Sequence, residues 1–87
     1  MASYEVGMTH SAEKELSNLP KTLLSVIWQR IVALAEQPRP TQTKKLKGAE
    51  SAYRLRVRTH RIVYIIDDGE KQVTVTSIRH RKDVYRS

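Results

Sequence analysis

The hydrophobic period of this chain changes once, near its middle, and that change limits the folds open to it. Between residues 12 and 35 the apolar side chains recur at helical spacing. Ala12, Leu16 and Leu19 form one short stripe; Leu23, Leu24, Ile27, Ile31, Leu34 and Ala35 form a second, longer one. Thr9 or Ser11 offers an N-cap, with Glu13 and Glu15 near the positive end of the helix dipole. Pro20 suits the first turn of a second helix, and Pro38 and Pro40 end it. Ahead of the helices, Tyr4, Val6 and Met8 alternate with Glu5 and Gly7, the pattern of a half-buried strand.

From Tyr53 onward the period is two. Tyr53-Arg54-Leu55-Arg56-Val57-Arg58 alternates apolar residues with arginine. Arg61 to Asp67 reads as a second strand, Asp68-Gly69 as a turn, and the β-branched run Gln72 to Ile78 as a third. The stretch 37–48 reads as a loop made basic by Arg39, Lys44, Lys45 and Lys47. With 87 residues, no repeat and no linker, the expectation is one domain, 1–87, of mixed α/β (α+β) class. It should hold a helical hairpin and four strands.

A two-residue Thr59-His60 turn would pair Arg58 with Arg61. Cross-strand partners share a face, so Arg54, Arg56, Arg58 and Arg61 would then point one way, and Leu55, Val57, Ile62, Tyr64 and Ile66 the other. Like charges this close repel, which favours a polyanion site over a purely structural role. The net charge agrees. The chain carries +7, and residues 44–87 hold all of it, because four basic and four acidic residues cancel in residues 1–43. Such asymmetry is suited to RNA or DNA.

Other chemistries find little support. The chain has no cysteine, so no thiolate site or thiol nucleophile exists. His10, His60 and His80 are scattered, Gly7, Gly48 and Gly69 stand alone, and no nucleophile elbow is present. No metal or cofactor is expected. The longest apolar run, Ile62 to Ile66, is too short to span a bilayer, and no charged-then-apolar leader follows Met1. The expected location is therefore the cytoplasm, away from membranes. What remains is the arginine face and the C-terminal run Arg79-His80-Arg81-Lys82-Asp83-Val84-Tyr85-Arg86. Guanidiniums can hold phosphates there, Tyr85 can stack on an unpaired base, and His80 has an unperturbed pKa suited to proton transfer near neutrality.

These residues, in their order, resemble the RelE branch of the RelE/ParE toxins of type II toxin–antitoxin pairs. The resemblance is carried by Ser11-Ala12, Leu19-Pro20-Lys21, Gln37-Pro38-Arg39-Pro40 and Lys45-Leu46-Lys47-Gly48. It continues through Tyr53-Arg54-Leu55-Arg56-Val57, Arg61-Ile62-Val63-Tyr64 and the closing His80 to Arg86 run. It implies two helices packed on a mainly antiparallel four-stranded sheet. It also implies a metal-independent endoribonuclease acting on mRNA in the ribosomal A site. There the ribose 2′-OH attacks the adjacent phosphorus, leaving a 2′,3′-cyclic phosphate and a 5′-OH.

On the same basis Arg54 and Arg56 take the family's two basic strand positions, Arg61 its transition-state arginine, Arg81 its acid and Tyr85 its stacking ring. Lys44, Lys45, Lys47, Arg58, Arg79 and Lys82 are expected to contact RNA or ribosome. One departure matters: the best-studied pattern has lysines where this chain has Arg54 and Arg56. At pH 7 an arginine is deprotonated about one part in a million or less. Arg56 is thus a poor free base, which leaves proton transfer to His80, to ribosomal RNA or to a perturbed arginine. A small antitoxin should mask the basic half, and only the complex should meet operator DNA. Two rivals stand beside this reading: a ParE-type gyrase inhibitor with the same fold, and a module that binds nucleic acid without cutting it.

Overall fold

Thr9 starts the first helix. Its backbone is extended (φ −71°, ψ 161°) and its hydroxyl accepts the Ala12 N–H at 3.2 Å, satisfying one orphan donor of α1, His10–Ser17. Pro20 then occupies the N-cap position of α2, Lys21–Ala33, its carbonyl accepting from Leu24 N–H at 2.8 Å. α2 ends earlier than its apolar stripe. Leu34, Ala35 and Glu36 donate to carbonyls three residues back, the tightened turn common at helix ends. This turn delivers the Ala35 carbonyl to Tyr4 N–H at 2.7 Å, which joins the helix end to the first strand.

The computed structural model describes residues 3–46, 48 and 51–80. Its strands are β1 (Glu5–Met8), β2 (Thr43–Lys45), β3 (Ala52–Val57), β4 (His60–Asp67) and β5 (Gln72–His80). They form one sheet in the order β1-β5-β4-β3-β2, with β1 parallel to β5 and every other pair antiparallel. The α+β class and the helical pair match the expectation from sequence; the strand count does not. Thr43–Lys45 lies in the stretch read as loop, and becomes a strand by pairing Thr43 with Leu55, Lys44 with Arg54 and Lys45 with Tyr53. Three polar residues have no apolar alternation to announce a strand, so only the tertiary partner makes it one.

The helices cover one face of the sheet. Ala12, Ile27, Ile31 and Leu34 meet Leu55, Val57, Ile62, Tyr64, Ile66, Val73, Val75 and Ile78 in a single buried cluster. Burying each large aliphatic side chain contributes about 1.5–3 kcal/mol, set against the entropy of ordering it. Arg54, Arg56 and Arg61 lie on the other face. Among the described residues no helix is long and apolar enough to cross a membrane.

Candidate nucleic-acid interface

The β3–β4 hairpin turns at Arg58-Thr59, one residue earlier than the sequence reading placed it. Val57 pairs with His60, and Arg56 rather than Arg58 stands opposite Arg61. Arg58 has φ 56°, the left-handed region that a non-glycine residue adopts at a cost. Arg58 therefore leaves the strand for the turn. The shift in pairing is two residues, and two is the period of a strand, so Arg54, Arg56 and Arg61 still share a face.

Across the sheet that face carries rows of cations. Lys44 pairs with Arg54, Arg56 with Arg61, and Arg61 with Arg79. Lys44, Arg54, Arg56 and Arg61 line a pocket of about 310 Å³ together with Gln42. Arg61 is buried, only 6% exposed, whereas Arg56 is exposed. Among the described residues none of the five that line it is acidic. Four like charges drawn from three adjacent strands are mutually repulsive and make a well-shaped receptor for an anion.

Other candidates fall outside this pocket. Lys45, paired with Tyr53, projects to the opposite side of the edge strand from Lys44. Arg79 extends the row but bonds Glu15 of α1, Nε to Oε2 at 3.2 Å. The other Glu15 oxygen accepts the Ile78 N–H at 2.8 Å. His80 is not brought to the arginines. It pairs with His60, and strand alternation puts both on the helix side of the sheet, their ring centroids 5.3 Å apart. Sequence reading grouped His80 with the cations through its neighbours in the chain; the alternation separates them. Lys47, Arg81, Lys82 and Tyr85 lie outside the described residues.

Two features escaped the sequence reading. Gln42 is one; its only signal is its place two residues before Lys44, hence on the same side of the edge strand. The other is a clasp around Arg39. Its guanidinium donates to both oxygens of Asp68, at 3.2 and 2.8 Å, and its Nε donates to the Tyr53 hydroxyl at 3.2 Å. The guanidinium carbon lies 5.0 Å from the Tyr53 ring centroid. Tyr4 donates its hydroxyl to Asp68 at 2.6 Å. Beneath, the fully buried Tyr64 stacks on Tyr53, donates to the Pro38 carbonyl at 2.8 Å and meets the Thr43 hydroxyl at 3.0 Å.

Electrostatics follow the contacts. Hydrogen bonds from Arg39, then from Tyr4, hold the Asp68 carboxyl below its ordinary range. The bond to Asp68 raises Arg39 further above its usual value, and the same carboxylate raises Tyr4. Burial pushes the Tyr64 hydroxyl up, against the opposing effect of Thr43. Arg39 was counted among the basic residues of the loop; here its charge is spent on Asp68.

The fold has known counterparts. A family model described as "ParE toxin of type II toxin-antitoxin system, parDE" matches residues 6–85. Toxin RelG of Mycobacterium tuberculosis is 32% identical over 88 residues, covering 95% of this chain and 97% of the relative. Among solved structures, the toxin–antitoxin complex RelBE2 of M. tuberculosis superposes with a TM-score of 0.80 at 27% identity, over 91% of this chain and 99% of that one. The intact E. coli RelBE toxin–antitoxin complex gives 0.78 at 28% identity, over 90% and 96%.

Proposed function

Because this chain belongs to the ParE toxin family of type II toxin–antitoxin systems, within the RelE/ParE superfamily, we propose that it halts translation by cutting mRNA on the ribosome. The observation that carries this reading is the pocket: Lys44, Arg54, Arg56 and Arg61 around about 310 Å³, with no acid in its lining among the described residues. A scissile phosphate fits such a place. As the 2′-oxygen attacks phosphorus and the bond to the 5′-oxygen breaks, negative charge builds on the non-bridging oxygens. Fixed guanidiniums aimed at that charge lower the barrier without reorganising.

In this proposal Arg54, Arg56 and Arg61 hold phosphate oxygens and Lys44 holds an adjacent backbone phosphate. Arg58 adds a further backbone contact from the hairpin turn, Arg79 is left to its pair with Glu15, and Arg81 and Tyr85 serve as acid and stacking ring. The 2′-OH gives up its proton and the leaving 5′-oxygen gains one, so the balance closes without metal or water. His80, across the sheet from the pocket, is left out of that transfer. A small antitoxin, like those in the complexes this fold resembles, blocks the pocket until it is removed.

A gyrase-directed activity is the second reading, favoured by the description of the matching family. One experiment separates the two: purified protein is added to ribosomes programmed with a defined mRNA and, in parallel, to a gyrase supercoiling reaction. Cleaved mRNA with normal supercoiling supports the first reading. Intact mRNA with inhibited supercoiling replaces it with the second.

A further inference from the structure

Phosphate contacts hold a nucleic acid without reading it, because every nucleotide offers the same oxygens. Among the described residues the cation pocket has one lining residue without charge, Gln42. The β2–β3 register begins with Thr43 opposite Leu55, so one step earlier Gln42 comes opposite Arg56. It stands at the end of the row that runs through Arg56 and Arg61 to Arg79.

The Gln42 amide is oriented by one hydrogen bond. Nη2 of Arg30, from α2, donates to Gln42 Oε1 at 2.7 Å. A guanidinium has five donors and no acceptor, so the amide oxygen must face Arg30 and the NH₂ group must face away from it. A glutamine with both ends free can grip adenine by a bidentate pair. With its oxygen turned to Arg30, this one presents its NH₂ donors on the side away from that guanidinium. Carrying no charge, it also gains little from a phosphate beside four cations.

We infer that Gln42 is the base-reading residue of the cation pocket, its Nε2 donating to the C4 carbonyl of uracil or the C6 carbonyl of guanine. Cytosine and adenine carry an amino group at the corresponding position, and two donors facing each other are unfavourable. Arg30 is a positioning residue: it acts through the Gln42 amide and touches no RNA. The inference deepens the RNA-cleaving function proposed above and rests on it.

The test uses A-site codons that differ by a single uracil-to-cytosine change at each position in turn, with single-turnover cleavage measured on programmed ribosomes. Wild type should favour uracil at one position by about five- to tenfold, the ratio that one net hydrogen bond supports. Gln42→Leu should cut both codons at similar rates. Gln42→Glu should reverse the preference, since one carboxylate oxygen stays on Arg30 and the other becomes an acceptor for the amino group. Arg30→Met should narrow the preference by letting the amide turn over. A wild type that cuts without preference at any position, or a Gln42→Leu that keeps the preference, overturns the inference.

Binding of oligo(U) and oligo(C) hexamers to the free protein asks the same question without cleavage. If wild type cuts no mRNA yet separates the two oligomers through Gln42, the base-reading role stands and the ribosomal function falls. If it neither cuts nor discriminates, both fall.

Discussion

Arg39, in the loop after α2, and Arg56, on β3, meet opposite surroundings. Arg39 reaches a carboxylate with two bonds, one tyrosine hydroxyl and the face of the same ring. Arg56 faces Arg61 across the hairpin and shares its pocket with Arg54 and Lys44. The first arrangement closes on itself and joins the loop after α2 to the β4–β5 turn. The second is open and repulsive, and gains only when an anion arrives. A protein that needed Arg54 and Arg56 for stability would have matched them as it matches Arg39. Under the proposed function, the contrast separates a cation that serves the fold from cations that serve a ligand.

The largest effect that could break this contrast is on activity. Arg56→Ala and Arg54→Ala should each slow mRNA cleavage by about 10²–10³-fold, the range for losing a transition-state donor, with thermal melting little changed. Unfolding of either variant would move these arginines to the structural side.

The clasp should answer in the opposite sense. Tyr64→Phe leaves the Pro38 carbonyl without its buried donor and removes the contact to Thr43. It should cost about 1–3 kcal/mol, which for a domain this size lowers Tm by several degrees. Calorimetry checks the figure, and an unchanged Tm would show that the stacked rings alone hold the loop.

A third effect is one of pH. Asp68 is held below its ordinary carboxyl value in the folded state. Its stabilising contribution is therefore complete above the unfolded carboxyl range and is lost as pH falls through the folded value. Melting followed from pH 7 downward should show a steeper acid-side loss for wild type than for Asp68→Asn. Parallel curves would mean that the exposed pair is screened into insignificance.

The smallest effect concerns Arg58, held at φ 56° in the hairpin turn. Arg58→Gly should relieve about 1 kcal/mol of backbone strain, partly offset by glycine's larger unfolded-state entropy. It should also take about one unit from the salt slope of RNA binding if the side chain contacts a phosphate. Titrations at several salt concentrations decide that point.

What could be read from the chain, and what could not, divides along physical lines. The change of period located both helices, because an amphipathic stripe is a local property. It also assigned Arg54, Arg56 and Arg61 to one face despite a misplaced turn, since a two-residue slip keeps every side chain on its side. Thr43–Lys45 was missed because a short polar edge strand exists only through its partner. The Arg39–Asp68 pair was missed because it spans 29 residues between two loops, and pairing across such distances leaves no local mark. His80 was grouped by proximity in the chain, whereas adjacent residues of a strand face opposite ways. Gln42 has no charge and no motif, so only the pocket reveals it.

The central claim is that Arg54 and Arg56, set among other cations, hold RNA and that Arg39, paired with Asp68, holds the fold. Its most direct test measures single-turnover mRNA cleavage on programmed ribosomes and Tm together, for wild type, Arg56→Ala and Arg39→Met. The account predicts that Arg56→Ala loses cleavage and keeps Tm, while Arg39→Met loses Tm and, below its own melting point, still cuts. A wild type that leaves mRNA intact, or an Arg56→Ala variant that cuts at the wild-type rate, would contradict it.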